Sequence, residues 1–299
     1  MRLKKYHTLL DKMNVGILTA GGVCPGVNNI IHTLTRLENA QNNRMFGIYE
    51  GFRGVNNNLR LDLSSRDKID EGAGSVLRVS CDKVDIEKAI DNINDLDRLY
   101  CICGNESMKS ARELAMDDRI ETNIIGIAKT IFNDIPGIES VGFQTAVQEF
   151  AKYIDYAYTE ATTTNSIVFI EAPGRCVTGL ATQATYARYS KVTDIVTPDT
   201  TNKIKMHQIK NNYEINGYAT VVVSENCDYT DILSYLEEVE ADVKIISPGF
   251  SIRDVEPCVY DVIISHEMAI QAFKHAQEER NFIKGASNSV YFEDFLNIV

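Results

Sequence analysis

Ile124-Ile125-Gly126-Ile127-Ala128-Lys129-Thr130-Ile131-Phe132-Asn133-Asp134 begins as a short apolar run and turns abruptly polar. An apolar run broken by one glycine suits a strand buried on both faces. Polar side chains just past a strand's carboxyl end are where open α/β sheets carry their chemistry. The design recurs twice upstream. Val15-Gly16-Ile17-Leu18-Thr19 leads into Ala20-Gly21-Gly22-Val23-Cys24-Pro25-Gly26-Val27-Asn28-Asn29 and a helix. Leu99-Tyr100-Cys101-Ile102-Cys103 leads into Gly104-Asn105-Glu106-Ser107 and another helix. Glycines in such loops let the backbone approach a ligand and expose amides at helix N-termini, the usual way to hold phosphate.

Around these units the periodicity predicts helices over 28–40, 84–96, 107–116, 145–160, 178–190, 203–211, 231–238 and 260–278. Strands are predicted over 45–49, 60–63, 166–170, 194–197, 218–224 and 243–246, with 60–63 an exposed edge because charge alternates with leucine. Thr162-Thr163-Thr164-Asn165 reads as a break between helix and strand. Alternation of β and α argues for parallel sheets covered by helices on both sides. The fold class is therefore α/β, with two Rossmann-like lobes over residues 1–160 and 161–299.

The 299 residues are ample for such a core. Thirty basic against 42 acidic residues leave a net charge of −12, which argues against nucleic acid or anionic membrane as the main partner. No run reaches the length of a membrane span, and the N-terminal residues lack the apolar stretch of a signal peptide. Seven scattered cysteines fit reduced thiols. Cytoplasmic localisation is expected. Cys101 and Cys103 alternate on one strand without a second close pair, so zinc is not expected.

The order of the three loops resembles the phosphofructokinase family, whose corresponding motifs read Gly-Gly-Asp-x-Pro-Gly, Gly-Gly-Asp-Gly/Asp-Ser/Thr and Pro-Gly/Lys-Thr-Ile-Asp-Asn-Asp. The resemblance runs on through Gly142-Phe143-Gln144-Thr145-Ala146, Glu171-Ala172-Pro173-Gly174-Arg175 and Pro248-Gly249-Phe250-Ser251-Ile252-Arg253 to Tyr260-Asp261. It spans roughly Val15 to Ala272. It implies a phosphotransferase of glycolysis with the donor on one lobe and the sugar phosphate on the other, across a cleft. It also implies that the last helices cross back to the first lobe, that Glu50–Gly54 forms a short strand and turn, and that the chain forms homo- or hetero-oligomers. No organic cofactor is implied.

By this resemblance Gly21, Gly22, Gly104, Asn105, Glu106 and Ser107 hold the donor, pyrophosphate or ATP. Lys129, Thr130, Asp134 and Arg175 stand at catalytic positions. Gly174, Glu225, Lys244 and Arg253 receive the sugar phosphate, Lys244 replacing an arginine and so losing its bidentate fork. Lys129 and Glu106 resemble the residues of pyrophosphate users, so pyrophosphate is favoured over ATP.

Several positions depart from the family's pattern. Phe132 stands where the family has its proton-accepting aspartate; without such a base a contribution of about 10²–10⁴-fold is missing. Asn105 and Val23 replace acids associated with magnesium, which prefers carboxylate oxygen, so a weakened Mg²⁺ site is expected, held by Asn105 and Glu106. Cys81 stands at a bridging arginine, with Arg78 and Lys83 on either side to restore the charge. Phe250 replaces a histidine, and Ser166 a cation that the family supplies across a subunit contact.

Three readings follow: a catalytically impaired binding or regulatory partner, an active 6-phosphofructokinase in which Asp134 and Glu106 take over as base and metal ligand, or a structural subunit of a mixed oligomer. Gly21-Gly22 lacks the Gly-x-Gly-x-x-Gly spacing of a dinucleotide site, and no Gly-Lys-Ser/Thr marks a P-loop.

Overall fold

The structure, a computed structural model, describes residues 12–64, 69–174, 178–198, 202–225, 227–237, 240–278 and 280–295. In chain order it starts with β1 (Asn14–Ala20), α1 (Val27–Ala40), β2 (Arg44–Ile48), α2 (Gly51–Asn56) and β3 (Arg60–Asp62). It continues through α3 (Ile86–Ile93), β4 (Arg98–Cys103), α4 (Asn105–Met116) and β5 (Asn123–Ala128). Then come α5 (Phe143–Thr164), β6 (Ile167–Ala172), α6 (Gly179–Ala187), β7 (Asp194–Val196), α7 (Asn202–Asn216), β8 (Ala219–Ser224), α8 (Thr230–Glu237) and β9 (Val243–Ile246). The last described elements are α9 (Val259–His275), β10 (Phe282–Lys284) and β11 (Ser289–Tyr291).

These elements form two compact units. The first runs to Thr130 and includes Ile135–Val141 and the chain from Val259 on; the second comprises Ile131–Asp134 and Gly142–Cys258. The boundary expected at 160/161 is thus displaced, because α5 lies against β6, β8 and α6 of the second unit. The last part of the chain joins the first unit by strands as well as by a helix: β10 pairs parallel with β5, and β11 closes a hairpin on it.

The first unit's sheet has the order β11-β10-β5-β4-β1-β2-β3. It is parallel except at β3 and β11, which pair antiparallel with their neighbours. Strands β4 and β5 are buried at every position, as strands covered on both faces must be. With right-handed crossovers, the step from β1 to β2 and the return steps to β4 and β5 put α1 on one face and α3 and α4 on the other. Helix α9 joins α1.

At the β4 end away from the glycine loops lies a buried ion pair. Glu38 takes Arg98 at 3.1 Å and the Tyr100 hydroxyl at 2.7 Å on Oε1, and the Asn43 amide at 2.6 Å on Oε2. Burial, and then the Glu38 charge, push the Tyr100 phenol up.

The second unit's sheet, β7-β8-β6-β9, is wholly parallel. Odd-numbered residues of β6 and β8 (Ile167, Phe169, Ala219, Val221, Val223) pack on Ile209 of α7 and on Ile232 and Leu236 of α8. A period of two sends the intervening Val168, Ile170 and Val222 to the opposite face.

Three local expectations fail. Glu50–Gly54 starts a helix rather than a strand: Glu50 and Gly51 both adopt left-handed backbone (φ 59 and 58), and a Cβ on Gly51 would lie 2.8 Å from the Thr19 carbonyl. Thr162–Thr164 stay helical, their polar side chains accommodated as Thr159, Thr162 and Thr164 return their hydroxyls to carbonyls one turn back. Helix α7 runs five residues past its expected end at Asn211. Among the described residues no helix is long and apolar enough to cross a membrane.

Candidate functional site

In the first unit, adjacent parallel strands end level with one another. Ala20 pairs with Cys103, and Cys103 with Ala128, so the three loops leave the same edge of the sheet at one height. Gly21 stands at φ 93, and a Cβ placed on it would lie 3.1 Å from Ser107 Oγ, 3.4 Å from Lys129 Nζ and 3.7 Å from the Gly104 amide nitrogen. Those contacts bring Gly21, Gly104, Ser107 and Lys129 together.

Lys129 is 2% exposed and donates its ammonium to the Gly22 carbonyl. Its backbone is held on both sides: its amide donates to Cys103 O at 3.0 Å, and Thr130 donates to Val141 O at 3.1 Å. Burial pushes the neighbouring Cys103 thiol up to about 12, against the pull of the Lys129 charge, so this thiol stays protonated. Helix α4 starts at Gly104 without a side-chain cap, which leaves the positive end of the helix dipole facing this cradle.

The acids near the cradle are few. Glu106 is turned outward onto Lys109 at 2.7 Å, with 71% of its side chain exposed. Among the described residues no group of three His, Cys, Asp or Glu could hold a metal ion. Asn105 and Glu106 alone are a poor fit to magnesium, which takes six oxygen ligands.

Sequence reasoning missed what fixes the segment over the first loop. Thr19 donates to Arg78 O at 2.6 Å and shares a hydrogen bond with Ser75. The Asn28 side chain donates to Gly72 O and accepts from Val76 N, and Gly21 N donates to Ser80 O at 2.8 Å. The available signal was a polar residue at the end of a buried strand and another opening an apolar helix. Arg78 itself has left-handed backbone (φ 58) and a 72% exposed side chain 3.4 Å from Glu50. Cys81 and Lys83 are exposed.

In the second unit the loops after β8, β6 and β9 likewise share one end of a sheet, with Ala172 level with Ser224 and Ile170 with Ile246. Glu225 accepts the Gly174 amide at 2.8 Å and donates its own amide to Ala172 O at 2.9 Å. Arg253 stands over the Phe250 ring at 4.0 Å, and its Nε is buried without a hydrogen bond among the described residues. Beside these, the Tyr229 hydroxyl donates to Glu171 at 2.7 Å, a pairing the sequence did not suggest.

Lys244 is not with them. It pairs with Val168 near the start of β6, about four strand residues or 13 Å before Ala172. It is caged by Glu160 at 2.7 Å, Thr164 at 2.9 Å and Asp242 at 3.5 Å; the Glu160 hydrogen bond holds its pKa above the usual lysine range. Ser166 is fully buried and shares a hydrogen bond with Thr164. Phe132 and Asp134 lie half-buried in the turn at 131–134. Arg175 lies outside the described residues.

The family profile described as Phosphofructokinase matches residues 14–276. The chain is 35% identical over 190 residues to ATP-dependent 6-phosphofructokinase 1 of Arabidopsis thaliana, a match covering 59% of this chain and 40% of that relative. It is 29% identical over 272 residues to the ATP-dependent 6-phosphofructokinase of Hamiltonella defensa, covering 86% and 82%. The chain thus spans well under half of the plant relative and most of the bacterial one. Among solved structures, a pyrophosphate-dependent phosphofructokinase from Marinobacter aquaeolei superposes with a TM-score of 0.81 at 17% identity, over 91% of this chain and 78% of that one. The phosphofructokinase of Saccharomyces cerevisiae gives 0.81 at 18%, over 96% and 45%. With a profile match over most of its length and the same fold, the chain belongs to the phosphofructokinase family.

Proposed function

We propose that this protein binds phosphate-bearing ligands and transfers phosphoryl groups poorly or not at all, serving as a binding or regulatory partner. The observation that carries the first half is the approach of Ser107 Oγ and Lys129 Nζ to Gly21 at the start of α4. A hydroxyl, an ammonium and the start of a helix are groups that hold an anion. Glu225, its carboxylate steadied by the Gly174 amide, and Arg253, within 3.8 Å of Asp254, suit a sugar hydroxyl and a phosphate. Pyrophosphate is the proposed donor-side ligand, on the resemblance of Lys129 and Glu106 to the residues of pyrophosphate users.

The second half rests on chemistry that is missing. Phosphoryl transfer to a hydroxyl needs alignment, cationic cover and a carboxylate to receive the proton. Phe132 cannot receive one, Glu106 is engaged by Lys109, and Asn105 brings no charge. Lys129 and Arg253 orient bound oxygens and screen their charge, which favours binding but does not supply a base.

The test is a turnover screen of fructose 6-phosphate with pyrophosphate or ATP, run beside calorimetry on the same preparation. Binding without turnover is the expected result. Turnover within a few orders of magnitude of the about 1–100 s⁻¹ usual for kinases supports the second reading instead, an active 6-phosphofructokinase, pyrophosphate favoured over ATP, in which Asp134 and Glu106 stand in as base and metal ligand. Its specific support is Lys129 in the glycine cradle two residues after the strand's last isoleucine. Absence of all binding leaves a structural subunit.

A further inference from the structure

The chain leaving β8 is tied down at three points in the second unit. Glu225 donates its amide to Ala172 O at 2.9 Å, at the end of β6. Cys227 donates its amide to Ser224 O at 3.1 Å and its thiol to Val196 O at 3.7 Å, at the end of β7. Tyr229 makes the third tie. Its ring stacks on Phe169, with centroids 5.5 Å and planes 14° apart, and its hydroxyl donates to Glu171 Oε1 at 2.7 Å. Phe169 and Glu171 share a face of β6, because side chains alternate along a strand. One tyrosine therefore lies along that face, its hydroxyl toward the end of the strand from which Pro173 and Gly174 follow.

The Tyr229–Glu171 pair does more than fill space. Tyr229 is half-buried, and burial first, then the Glu171 hydrogen bond, push its phenol up, so it stays a donor. A hydroxyl donating to a carboxylate makes one of the stronger hydrogen bonds. Glu171 leads directly into Ala172, which accepts the Glu225 amide, and Gly174, whose amide donates to the Glu225 carboxylate at 2.8 Å. The two carboxylate bonds thus staple the same two segments together, one donor coming from each side.

We infer that Tyr229, acting through Glu171, is a positioning residue for the sugar-phosphate end of the second unit, holding the Glu225 carboxylate at the Gly174 amide. Tyr229 acts in this role without touching the sugar. The consequence for affinity rests on the proposed function; the consequence for Glu225 does not.

Two readouts on the full chain test it: amide hydrogen exchange at Gly174 without ligand, and calorimetry with fructose 6-phosphate. Tyr229→Phe keeps the ring on Phe169 and deletes the hydroxyl. It is expected to speed exchange at Gly174 about tenfold and to weaken fructose 6-phosphate binding about threefold or more, with pyrophosphate binding unchanged. Glu171→Leu should do the same, and the double variant no more than either alone. Glu171→Gln, which keeps an acceptor for the hydroxyl, should hold near-native values. Unchanged exchange at Gly174 in Tyr229→Phe overturns the inference whatever the affinity. So does unchanged affinity in a chain that binds the sugar phosphate, or additive losses in the double variant, since the pair is then a packing contact only. If the unsubstituted chain binds no fructose 6-phosphate, the proposed function fails and the exchange readout alone decides this inference.

Discussion

Lys129 turns its ammonium back to the carbonyl of Gly22, joining the loop after β5 to the glycine-rich loop after β1 across 107 residues of sequence. This places the Lys129 ammonium where Gly21 comes nearest to Ser107 and Gly104. Removing either partner should therefore change binding before it changes the fold.

Lys129→Met is expected to weaken pyrophosphate binding by about tenfold or more, since a charge-assisted hydrogen bond is worth roughly 1.5–3 kcal/mol. Calorimetry checks it, and near-native melting behaviour distinguishes lost recognition from lost structure. Gly21→Ala acts differently: its φ of 93 is unfavourable for alanine by about 1–2 kcal/mol, so both urea stability and binding should fall.

Phe132→Asp should return a proton acceptor to the loop after Lys129. If the missing base limits the reaction, turnover of fructose 6-phosphate rises by up to about 10²–10⁴-fold. An unchanged rate in both Phe132→Asp and the double variant with Asn105→Asp means that further positions block transfer.

Breaking the buried pair at the far end of β4 should be severe. Arg98→Met leaves the fully buried Glu38 without its main counter-charge and is expected to cost about 3–5 kcal/mol in urea denaturation. Glu38→Leu with Arg98→Met should recover much of that loss, because apolar replacement of both members removes the stranded charge. Additive losses would contradict it.

Lys284 gives a pH dependence. It is 2% exposed, donates to Asn288 O at 3.1 Å, and burial lowers its pKa below the usual lysine value. The unfolded chain therefore holds this proton to higher pH than the folded one. Stability must rise with pH between the lowered folded pKa and the ordinary 10.5, and the penalty is fully present below that window. Lys284→Met should remove this rise, seen as a flatter plot of denaturation midpoint against pH.

The strand-and-loop units were legible because a run buried on both faces is apolar throughout, and Leu99–Cys103 and Ile124–Ala128 are. The parallel sheets followed from alternation alone. Boundaries were less legible where polar residues are spent inside helices: the threonines ending α5 bond their own backbone, and Asn211 to Asn216 continue α7. The β10–β11 hairpin escaped notice since three-residue strands are too short to display a period.

Order along the chain by itself determined which residues could meet at the loop end of each sheet, because level parallel strands deliver their following residues to one edge. Only the tertiary structure decided which of them are engaged. Lys129 is turned inward to Gly22, Glu106 outward to Lys109, and Lys244 is held by Glu160 at the other end of β6. The physical reason is that a charged side chain goes to the partner that best replaces its water, and that partner is often far away in sequence.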